Sequence, residues 1–86
     1  MPLDHEVYDI IVANIAVTLK EVLAGDITVF KYGDNIKVHI NHPQFGNFIY
    51  TIYDVDEINL NEITSRDLAE KVISWHKSCV VKKLFL

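Results

Sequence analysis

Between Ile27 and Tyr53 the chain runs through three short alternating stretches separated by two turn clusters, and this leaves few folds open. Ile36-Lys-Val-His-Ile-Asn41 alternates strictly, with Ile36, Val38 and Ile40 on one side. Successive side chains of a strand point to opposite faces, so such a run reads as a strand with one buried face. Ile27 to Tyr32 and Phe48 to Tyr53 are rich in β-branched and aromatic residues and read the same way. Gly33-Asp-Asn35 supplies a tight turn, and His42 to Asn47, with Pro43 and Gly46, supplies the second. Strands over 26–32, 36–41 and 48–53 joined in a meander are the simplest outcome.

Amphipathic helices flank the strands. Val7, Ile11, Ile15, Val22, Tyr8, Val12, Leu19 and Leu23 share a wide apolar face that predicts a helix over 5–24. Asp4 precedes it as a cap and Gly25 follows as a terminator that tolerates left-handed backbone. After an acidic loop over 54–63, Thr64-Ser-Arg-Asp67 has the form of a capping box. It opens a helix over 65–80, with Leu68, Val72, Trp75, His76 and Cys79 on its inner face. The periodicity fails in the apolar tail 81–86, which fits a helix end, a strand or a plug for a neighbour.

Two helix stripes of this width need a sheet face to cover. The expected fold is therefore a single α+β domain spanning 1–86. Its order is α-β-β-β-α, a three-stranded antiparallel meander with both helices on one face. An 86-residue chain is too short for two cores. The alternation turns Ile27, Val29, Ile36, Val38, Ile40, Phe48, Tyr50 and Ile52 toward the helices. It turns Phe30, Tyr32, Ile49 and Tyr53 to the open side.

Half of the residues are hydrophobic, more than so small a domain buries easily. The surplus has definite addresses. Ile10 and Val17 lie seven residues apart on the otherwise polar side of the first helix. Phe30, Tyr32, Ile49 and Tyr53 lie on the outer sheet face, and Leu84 and Phe85 in the tail. These eight residues are the candidate interface.

The order of elements is similar to that of the double-stranded RNA-binding domain along the whole chain, in topology alone. That family grips phosphates with a lysine-rich start to its second helix and carries a Gly-Pro-x-His loop between its first strands. The corresponding positions here are Thr64-Ser-Arg-Asp-Leu-Ala-Glu-Lys71 and Tyr32-Gly-Asp-Asn35, so no binding residue carries over. A net charge of −4 and a single arginine, Arg66, also argue against a nucleic-acid partner.

Catalytic, cofactor and metal sites find no support. His39 and His42 are three apart and fall on opposite faces of a strand end, with no further ligand at metal spacing. Cys79 falls late in a helix on its buried stripe, where the helix dipole disfavours a thiolate. The carboxylates of Asp54 to Glu62 lack the regular spacing and glycine of a calcium loop. No phosphate-binding glycine loop or nucleophile elbow occurs.

The start of the chain has no signal-peptide pattern and no run is long enough to span a bilayer, so a cytoplasmic protein without membrane contact is expected. Lysine exceeds arginine and Ile and Asn are abundant, which fits a bacterial or phage source. The expected function is that of a small acidic, non-enzymatic interaction or regulatory module binding a protein partner, itself, or both. A nucleic-acid-binding regulator is the alternative.

Overall fold

The computed structural model describes residues 5–58 and 63–85. Helix α1 (His5–Val22) leads into strands β1 (Asp26–Tyr32), β2 (Asn35–His42) and β3 (Gly46–Ile52). A single 3-10 turn (Val55–Glu57) and helix α2 (Ser65–Leu84) follow. The sheet is antiparallel in the order β1-β2-β3, the meander expected from the turns.

Register explains the core. Ile27, Val29 and Lys31 pair with Ile40, Val38 and Ile36, which in turn pair with Phe48, Tyr50 and Ile52. These rows share the face beneath the helices. The face assignment expected from the alternation holds on all three strands, with Ile36, Val38, Ile40 and Ile52 fully covered. From α1, Tyr8, Ile11, Ile15 and Leu19 fill this core, and from α2, Leu68, Ala69, Val72 and His76.

The elements depart from expectation in several local details. Helix α1 ends at Val22 instead of residue 24, and Val22, expected on the apolar face, is 53% exposed because it borders an open hollow. Helix α2 continues to Leu84, so the stretch expected as an apolar tail after residue 80 is mostly helical; Leu86 lies outside the described residues. A helix needs no single buried stripe to continue, only backbone bonds and tolerant residues, and Val80 to Leu84 contain neither Gly nor Pro. Trp75, expected on the inner face, is 39% exposed, because the buried stripe of Leu68, Ala69, Val72 and His76 is turned toward Ala69 and leaves Trp75 at its margin. Strand β2 extends to Asn35 and His42 and β3 begins at Gly46, shortening both turns, while β3 ends at Ile52, one residue before Tyr53.

The turn chemistry behaves as its residues suggest. Gly25 adopts φ +104°, and a Cβ there would lie 2.2 Å from the Asn41 carbonyl oxygen. Only glycine lets the connection from α1 pass so close to β2. After β3, Asp54 adopts the left-handed conformation at φ 53°. Its amide donates to Asn35 Oδ1 at 3.1 Å, while the Val55 amide donates to the Asp34 carbonyl at 2.9 Å. The 3-10 turn is thereby fastened to the β1–β2 turn, and Val55 is fully buried. Ile58 packs against the core from this segment.

Helix α2 starts as the sequence specifies. Thr64 accepts from the Asp67 amide through its side chain, and the Asp67 carboxylate accepts from the Thr64 amide at 2.8 Å. The Thr64 hydroxyl also donates to this carboxylate at 3.0 Å, and the amide and hydroxyl donors of Thr64 together hold the Asp67 carboxyl below the usual carboxylate range. No described helix is long and apolar enough to cross a membrane.

Candidate functional site

The outer face of the sheet is uncovered, because both helices pack on the other side. Register lines up Thr28, His39 and Ile49 in one row and Phe30, Lys37 and Thr51 in the next. The Phe30 and His39 rings meet edge to face at a centroid distance of 5.1 Å. The Lys37 ammonium lies 4.8 Å from the centre of the Tyr32 ring. Tyr32, Ile49 and Tyr53 are exposed, Tyr53 at 69%, while Phe30 is half-buried among its neighbours. The four candidate residues on the sheet thus share one apolar face, and its charged members are Lys37 and Asp26.

The other four candidates lie elsewhere. Ile10 and Val17 stand on the back of α1, away from the sheet, exposed at 61% and 57%. Leu84 and Phe85 are exposed at the far end of α2, joined there by Val81. The candidate residues therefore form two surfaces on opposite sides of the molecule, plus the projecting end of α2.

A further cluster links residues that sequence spacing does not connect. His42, at the end of β2, and His76, in α2, approach to 5.9 Å between ring centres. His42 Nδ1 accepts from the backbone amides of Gln44 and Phe45 at 3.0 and 3.2 Å, tying the ring to its own turn. His76 Nδ1 lies 2.8 Å from the Tyr50 hydroxyl, and its ring packs edge-on to Phe48 and Tyr50. Burial, then the neighbouring His42, lower the His76 pKa, so its neutral form is favoured. Burial and a hydrogen bond with Cys79 raise the Tyr50 phenol.

Beside these histidines is an open apolar hollow of about 350 Å³ lined by Leu23, Ala24, His42, His76, Val80 and Val81. No sequence signal could have paired His42 with His76, because the contact arises only when α2 crosses the end of the sheet. Among the described residues no three His, Cys, Asp or Glu side chains gather as metal ligands. His39, against Phe30 on the outer face, stands on the opposite side from His42, as the strand period requires. His5 is exposed at the start of α1.

The chain was compared with protein-family models, curated proteins and solved structures, and none matches.

Proposed function

We propose that this chain is a protein-interaction module that self-associates, and that it works by presenting surfaces instead of by catalysis. The observation that supports the reading best is the distribution of exposed apolar side chains. Tyr32, Ile49 and Tyr53 stand together on one sheet face, and Ile10 and Val17 line the back of α1. Scattered exposed apolar residues are normal, but grouped ones on a domain this small are the usual mark of protein contact. The outer sheet face is formally neutral, with Lys37 against Asp26, although the whole chain carries −4. A face depleted in charge suits a protein partner better than a polyanion, which rewards clustered lysine and arginine.

Native mass spectrometry of the full chain, together with fluorescence anisotropy of short single- and double-stranded oligonucleotides at low salt, tests the proposal. A dimer with no oligonucleotide binding is expected. Tight oligonucleotide binding by a monomer contradicts it.

A further inference from the structure

Helices α1 and α2 lie side by side and point the same way. Val7, Ile10 and Ile11 of α1 adjoin Thr64 and Ser65 at the start of α2. Val22 and Leu23 adjoin Val80 and Val81 near its end. Parallel helices add their dipoles, so the helical layer has a positive and a negative end before any side chain is counted.

The side chains reinforce the division. The first halves of the helices, 5–13 and 65–74, carry Glu6, Asp9, Asp67 and Glu70 against Arg66 and Lys71, four negative to two positive. The second halves, 14–22 and 75–84, carry Lys20, Lys77, Lys82 and Lys83 against Glu21, four positive to one negative. One end of the layer is formally −2 and the other +3. Along the layer's back runs the exposed apolar line of Ile10 and Val17, with the small, exposed Ala13 between them.

We infer that this back surface binds a second copy of the chain, with the two helical layers stacked antiparallel about a two-fold axis passing near Ala13. The inference rests on the self-association proposed above and assigns its face. A two-fold axis here is self-complementary in both shape and charge. It sets Ile10 against Val17 of the second copy, and the reverse. Glu6 and Lys20 each lie seven residues from Ala13, two helical turns in opposite directions, so Glu6 of one copy faces Lys20 of the other. The acidic end of each layer covers the basic end of its mate, and the summed dipoles oppose. Ala13 at the axis lets the helices approach closely.

The resulting assembly is a four-layer stack of sheet, helices, helices and sheet. Its two apolar sheet faces, each with Tyr32, Ile49 and Tyr53, point in opposite directions.

Cross-linking of the full chain in a Cys79→Ser background tests the assigned face. Ala13→Cys should give a covalent dimer with a short bismaleimide within minutes, while His39→Cys, central on the outer sheet face, stays largely uncoupled. Separately, Glu6→Lys or Lys20→Glu alone should raise the dimer dissociation constant roughly threefold, and the two together should restore it. Coupling through His39→Cys but not Ala13→Cys overturns the helical face while leaving self-association intact. Coupling at both positions equally overturns it too. Coupling at neither, with a monomeric native mass, removes both the face and the self-association on which it rests.

Discussion

The Tyr50 hydroxyl and His76 Nδ1 lie 2.8 Å apart in the seam where β3 meets α2. The phenol keeps its proton, because burial and Cys79 push its pKa up, and the imidazole is held neutral by burial and by His42. A neutral imidazole with Nδ1 unprotonated accepts from the phenol; an imidazolium would have to donate to the phenol oxygen instead, and would place a charge in a buried seam.

This arrangement makes stability depend on pH. The folded His76 has a pKa below its unfolded value of roughly 6.5, so the unfolded chain takes up a proton first as the solution is acidified. The contribution is complete above the unfolded pKa and lost as pH falls below it toward the folded pKa. Thermal melts at pH 8 and pH 5 should show a smaller drop in Tm for His76→Gln than for the native chain. Parallel curves for the two proteins would falsify this role.

Gly25→Ala should be far more damaging than Gly33→Ala or Gly46→Ala. All three glycines have positive φ, which costs a residue with a Cβ about 1 kcal/mol. Only at Gly25 would the new atom also meet backbone, at 2.2 Å from the Asn41 oxygen. Urea unfolding should show a loss of about 3 kcal/mol or more at Gly25 and about 1 kcal/mol at each of the others. Equal losses at all three would show that the close approach to β2 does not matter.

Much of this architecture was written in the alternation. The period of two assigned the faces of all three strands, since each apolar row needs only its own sequence to choose a side. The capping box at Thr64 and Asp67 and the break at Gly25 were equally local. What escaped were relations across the chain. Val55 is buried because Asp34 and Asn35 hold its turn, and nothing within the acidic loop announces that. His42 and His76 meet only through the crossing of α2 over the sheet end. The end of α2 was hard to place because its core contacts stop before its backbone hydrogen bonds do. For the surfaces, the sequence named Ile10, Val17, the four sheet residues, Leu84 and Phe85. The division of charge along parallel helices required knowing that the helices are parallel.

The Tyr8 hydroxyl donates to Asp56 Oδ1 at 2.5 Å, and the Lys31 ammonium stands 4.6 Å from the centre of the same ring. One buried phenol thus ties α1 to β1 and to the 3-10 turn. Tyr8→Phe keeps the packing and loses the charge-assisted bond, so chemical denaturation should show a loss of about 1–2 kcal/mol. An unchanged midpoint would mean that water replaces the bond at no cost.

Thr64→Ala removes the hydroxyl that accepts from the Asp67 amide and should destabilise the fold by about 1 kcal/mol, read from denaturant midpoints. Thr64→Ser, which keeps the acceptor, should cost much less. A similar loss for both would place the effect in the threonine methyl and not in the cap.

The proposed contact between two copies runs along the apolar line on the back of α1. Light scattering on size-exclusion chromatography, with the native chain and Val17→Glu at matched concentrations, tests it most directly. Val17 is exposed, so a carboxylate there should leave the fold intact, as circular dichroism will report. About twice the 9.9 kDa chain mass is expected for the native protein and a single chain mass for the variant. The same mass for both proteins would contradict it.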